Sequence, residues 1–146
     1  MQKQIRSKLK SSDEIRKLLM PLKNRPDWQW RYKMAEKICS RLDFKKFSVK
    51  GFYIFGSTKN ATAGPASDID ILIHFRGNKE QEECLLAWLD GWSQALAEIN
   101  KQKTGYATDG LLDVHLITDK DIRDKTSFAV KIGAISDAAR PLKVID

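Results

Sequence analysis

Apolar residues recur along this chain at two periods. Trp28, Tyr32, Ala35, Cys39 and Leu42 stand at i, i+4, i+7, i+11 and i+14, one stripe of a helix that follows Pro26 and Asp27. Trp30, Met34 and Ile38 widen the stripe, and core packing accounts for these aromatics better than base stacking does. Upstream, Ser11 and Glu14 have capping-box spacing and predict a shorter helix that ends near Pro21. Val49 to Phe55 is short, apolar and aromatic, and it predicts a strand that stops at Gly56. Asp68 to Phe75 alternates as a second strand, with Ile69, Ile71, Ile73 and Phe75 on one face. A long helix follows from about Asn78 to about Lys101, its buried stripe formed by Leu85, Trp88, Leu89, Trp92, Leu96 and Ile99. Glu80, Glu82 and Glu83 lie in its first turns and Lys101 at its end, as the helix dipole favours. Leu111 to Ile117 predicts a third strand after the turn residues Thr108, Asp109 and Gly110, and a last helix is expected around Ser127 to Ala139, stopped by Pro141. Strands alternating with helices give an α/β or α+β domain, a small sheet flanked by helices.

The length of 146 residues fits one domain, and no internal repeat or Gly/Ser-rich linker divides it. With 42% apolar and 31% charged residues, the composition excludes a disordered, collagen-like or low-complexity chain. No apolar run reaches bilayer length, and no signal-peptide core follows the basic start, so a cytoplasmic protein away from membranes is expected. Cys39 and Cys84 match no metal-ligand spacing and sit in helical patterns, which predicts two reduced, buried thiols rather than a disulfide. Charge is uneven. Residues 1–50 hold 15 Lys and Arg against 5 Asp and Glu, a balance of +10, while residues 51–146 hold 11 against 14, a balance of −3. The basic part, which includes Lys3, Arg6, Lys8 and Lys10, reads either as solvated helix faces or as a surface for nucleic acid or an acidic protein.

The candidate chemistry lies between Gly51 and Phe75 and in the third strand. A strand ends at Gly56-Ser57, and ten residues later Asp68-Ile69-Asp70 opens another. Alternation points Asp68 and Asp70 the same way, and Asp113 is set opposite the core-facing Leu112 and Val114. The three carboxylates share one face if their strands are neighbours. Clustered carboxylates repel unless a cation sits among them, and oxygen donors suit a hard divalent ion, above all Mg²⁺. Two such ions roughly 3.5–4 Å apart form the usual clamp for in-line phosphoryl transfer. Gly56 lets backbone approach a phosphate, and Ser57 offers a hydroxyl and an N–H beside it. His74 and His115 follow in the same parity; they read as ordinary strand histidines, with proton transfer or acceptor binding as the alternative.

Phe55-Gly56-Ser57 through Ser67-Asp68-Ile69-Asp70-Ile71-Leu72 resembles the signature of the DNA polymerase β-like nucleotidyltransferases, and the short chain is similar to their minimal group. The resemblance implies a small mixed sheet flanked by helices, a polymerase β palm-like fold. It also implies transfer of a nucleoside monophosphate from a Mg-NTP, with ATP the expected nucleotide, to an acceptor hydroxyl. Asp68 and Asp70 would be metal ligands, Asp113 the third carboxylate and activator of the acceptor, and Gly56 and Ser57 the triphosphate turn. The expected layout is one nucleotidyltransferase domain over 1–146: a basic helical part at 1–47, core strands and helix at 48–118, and a C-terminal helix and tail at 119–146. The family's arginines after Gly-Ser are missing. Thr58, Lys59, Asn60 and Ala61 stand there, and Lys59 is the one cation left to meet the nucleotide, as a point charge without bidentate geometry.

Two function classes follow. One is an enzyme whose acceptor is a partner protein or RNA, completed by that partner or by a second copy of the chain. The other is a non-catalytic antitoxin-like or nucleic-acid-binding protein that keeps the fold. Intact Asp68, Asp70 and Asp113 favour the enzyme, and the missing arginines favour the second class.

Overall fold

The amphipathic stripe after Pro26 becomes α1, Asp27–Arg41, in a computed structural model that describes residues 25–134 and 137–145. The helix expected between Ser11 and Pro21, and the side chains of Lys3, Arg6, Lys8 and Lys10, lie outside the described residues. Trp30, Ala35, Ile38 and Cys39 bury the inner face of α1, and Arg31 is buried among them. β1 (Val49–Phe55) runs into a single helical turn, α2 (Gly56–Lys59), and β2 (Ile69–Phe75) returns antiparallel beside β1. The 26-residue α3 (Lys79–Thr104) then crosses over to β3 (Leu112–Ile117), which pairs parallel to β2. A crossover of this kind is what parallel neighbours require. Asn78 and Gln81 form a capping box at the start of α3, and Gly105, at φ 84°, caps its end in the left-handed conformation.

The sheet is mixed, with strand order β3-β2-β1-β4. One face carries Phe52, Ile54, Ile69, Ile71, Ile73 and Phe75 into the main core with α1 and α3. Each such side chain contributes roughly 1.5–3 kcal/mol through burial. The opposite face carries Tyr53, Phe55 and Leu72, packed against Ala139 and Ile132 of the C-terminal segment. Asp70 belongs to this second face by strand alternation, because it lies between Ile69 and Ile71 of the main core.

Two expectations are corrected. The tail forms no helix from Ser127 to Ala139. A short α4 (Asp119–Asp124) and a 3₁₀ turn (Ser127–Lys131) lead instead to an edge strand, β4 (Arg140–Val144), paired antiparallel to β1. Gly133, at φ 71°, leaves helical space before Ala139 is reached. Pro141 lies within β4 opposite Tyr53, and an edge strand tolerates its missing N–H. The second correction is Cys84, which is exposed because Leu85 takes the core position; Cys39 is buried, and burial pushes its thiol up to about 11. Among the described residues, no helix is long and apolar enough to cross a membrane.

Candidate active site

Strand register brings the first two carboxylates together. Asp70 pairs with Asp113 across the parallel β2–β3 ladder, and Phe55, the last residue of β1, pairs with Asp70 from the other side. Gly56 therefore lies directly against Asp70. A Cβ on Gly56 would come within 2.1 Å of Asp70 Oδ2, and its φ of 71° also favours glycine. The turn and the carboxylate are fitted to one another.

The carboxylates feel each other. Burial first, then the Asp113 charge, a hydrogen bond with Asp113 and the Asp68 charge push Asp70 up to about 6, against a smaller opposing pull from His115. Asp68 is also raised, by burial and then by Asp113, while Arg31 pulls it back. Their donors are hard carboxylate oxygens, and their crowding is what a divalent cation relieves, so donor type and electrostatics fit Mg²⁺. Among the described residues, no group of three or more His, Cys, Asp or Glu side chains is gathered closely enough to hold a metal ion as it stands.

Around the turn, Ser57 presents its carbonyl to the N–H groups of Thr62 and Ala63, at 2.9 and 3.1 Å, which folds the following loop back onto it. Thr58 is fully buried and its hydroxyl has no partner. Lys59 is turned to the C-terminal segment: its ammonium donates to Asp137 Oδ1 at 3.1 Å and to the Ala138 carbonyl at 2.7 Å. Asp109, in the turn before β3, is exposed.

The histidines diverge. His74 meets Asp119 Oδ1 at 2.5 Å, and Arg76 holds the same carboxylate at 2.9 and 3.2 Å, so His74 is a satisfied strand histidine. His115 stays beside the carboxylates. Its Nε2 is 3.2 Å from Asp113 Oδ2, but outside hydrogen-bonding geometry, and its ring packs on Phe128 at 4.1 Å between centroids.

Two buried polar residues absent from the sequence expectations hold the approach to Asp68. Arg31, with no exposed surface, donates to the carbonyls of Ser67 (3.0 Å), Pro65 (3.2 Å) and Asp27 (3.2 Å) and to Asn100 Oδ1 (2.9 Å). Asn100, equally buried, donates to the Pro65 carbonyl at 2.9 Å. A guanidinium from α1 and an amide from α3 thus fix the loop that delivers Asp68. Arginine at one position of an apolar stripe reads as solvated; its only sequence signal is its place between Trp30 and Tyr32.

Fold and site together define an α+β domain that sets a glycine-serine turn against carboxylates from two neighbouring strands. Residues 32–137 match the family model of the nucleotidyltransferase domain, and the chain belongs to that family. No curated protein and no solved structure matches the chain. Nucleotidyl transfer is the activity class that the family supports.

Proposed function

We propose that this chain is a Mg²⁺-dependent nucleotidyltransferase that moves a nucleoside monophosphate from an NTP, ATP first among them, to a hydroxyl of a protein or RNA acceptor in the cytoplasm. The observation that carries this reading is the registered pair of Asp70 and Asp113, with Gly56 fitted against Asp70. Asp68 and Asp70 would hold the metal, with Asp113 as the third carboxylate. When bound, Mg²⁺ neutralises triphosphate charge and lowers the pKa of the attacking hydroxyl. Asp113 accepts the acceptor's proton. The acceptor oxygen bonds the α-phosphorus, the bond from that phosphorus to the bridging β-oxygen breaks, and pyrophosphate leaves with the electron pair. Ser57 offers its N–H and hydroxyl to the phosphates, and Gly56 lets the backbone come close to them. The acceptor is completed by a partner or by a second copy of the chain.

Incubation with α-labelled NTPs, Mg²⁺ and a cell lysate tests the reading. Label on a protein or RNA, lost in Asp70→Asn, is the expected result. A non-catalytic binding protein is the second reading, favoured by the engagement of Lys59 with Asp137. Mg-ATP binding without label on any macromolecule would select it.

A further inference from the structure

The C-terminal segment places a carboxylate where the turn's one nearby cation would meet a phosphate. Asp137 Oδ1 accepts from Lys59 Nζ at 3.1 Å and from Asn60 Nδ2 at 3.0 Å, and Asp137 Oδ2 accepts from Lys131 Nζ at 3.0 Å. These donors come from both ends of the domain core. Lys59 is the last residue of the α2 turn that starts at Gly56, so its backbone lies one helical turn from the residue fitted to Asp70. We propose that Lys59, Asn60 and Lys131 form a subsite for a phosphate group of the nucleotide, which the Asp137 carboxylate fills when no nucleotide is bound. The inference rests on the proposed nucleotidyl transfer and deepens it, by naming which residues replace the family's missing arginines.

Charge matching supports the assignment. Two ammonium groups and an amide surround one carboxylate, which leaves the cluster with net positive charge; a phosphate carrying two charges balances it. The Lys59 side chain is only 9% exposed, and it is also anchored by the Ala138 carbonyl at 2.7 Å, so it keeps its place when Asp137 leaves. Asp137 is the replaceable part. It is half exposed and adopts φ 50°, a left-handed conformation that non-glycine residues adopt uncommonly, Asp among the most tolerant. It sits in a loop closed at its base by the Ala139 N–H bonded to the Lys131 carbonyl at 2.9 Å, so the carboxylate can swing away without parting β4 from β1. The three donors hold its carboxyl well below the usual carboxylate range, so Asp137 is a full anion at neutral pH and competes with phosphate as one.

Calorimetric titration of the full chain with sodium tripolyphosphate, and in parallel with Mg-ATP, tests the subsite. Asp137→Asn removes the competing anion and should tighten tripolyphosphate binding by roughly tenfold, the scale of one charge-assisted hydrogen bond. Lys131→Gln should weaken it by a similar factor. Asp137→Gly, which suits the left-handed backbone, keeps the experiment decisive if Asp137→Asn impairs folding. A cluster that merely fastens the tail would lower the melting temperature in these variants and leave the affinity order unchanged, and that result overturns the subsite. Tripolyphosphate binding needs no acceptor. Expected affinity shifts without any labelled product would overturn the transfer reading alone, and labelled product with unchanged affinities would overturn the subsite alone.

Discussion

Asp70 concentrates the electrostatic tension of the molecule. Its carboxyl is held up to about 6, by burial first and then by Asp113, whereas the unfolded chain gives it an ordinary carboxylate value. The folded state therefore binds this proton more tightly than the unfolded state. The resulting stability is complete below the unfolded value and is lost as pH rises toward 6. At neutral pH, Asp70 is a strained anion in the metal-free protein. Asp70→Asn should stabilise the metal-free chain at pH 7 by on the order of 1 kcal/mol, after allowance for its partial exposure to solvent. It should also remove this group's share of the fall in stability between about pH 4 and 6. Urea melts across that range check both effects, and equal stability of variant and wild type at pH 7 would mean that Asp70 carries no such tension. A residue that destabilises its own fold at working pH, and that Gly56 is shaped to receive, is one kept for binding.

At the scale of elements, what is legible in the sequence follows from side-chain alternation. Ile69, Ile71 and Ile73 fix which face of β2 is core, and so place Asp70 on the other face from the pattern alone. The turn chemistry of Gly56-Ser57 and the cap at Asn78 are equally local and can be read directly. β4 cannot be, because Arg140–Val144 shows no alternation that marks a strand; its place in the sheet comes from pairing with β1 and not from its own pattern. Arg31 is illegible for the opposite reason. Its burial makes sense only once α1, α3 and the loop before Asp68 meet, since its acceptors lie as far off as Asn100. Arg31→Met would keep the volume and the apolar stripe but leave the Ser67 carbonyl and Asn100 Oδ1 without their donor. A loss of about 3 kcal/mol is expected by unfolding titration, the usual scale for removing one member of a buried polar set. Amide exchange should quicken around Ser67 to Ile69 before it does in β1, because the loop loses its anchor while the sheet keeps its ladder. Uniformly faster exchange would make Arg31 a general core residue and not a holder of the Asp68 loop.

The site exists only at the scale of the whole molecule, since Asp113 reaches Asp70 through the α3 crossover and the parallel register of β2 and β3. The start of β3 is set by α3 itself. Ser93 Oγ accepts the N–H groups of Leu111 and Leu112, each at 3.0 Å, just before Asp113. Asp113 thus arrives as an exposed carboxylate on a strand end fixed from behind, while Asp70 is half-buried under Gly56. This division predicts a division of labour. In Asp113→Ala, the repulsion and the hydrogen bond that raise Asp70 both disappear, so Asp70 becomes more fully ionised at neutral pH. Mg-ATP affinity should then be kept or modestly strengthened. Removing the group that accepts the acceptor's proton should cost transfer about 10²–10⁴-fold, the usual range for a lost general base. Calorimetry with Mg-ATP beside single-turnover transfer separates the two. Weakened binding in proportion to weakened transfer would make Asp113 a metal ligand first. Normal transfer would move the proton-accepting role elsewhere, to the exposed Asp109 in the turn that precedes β3.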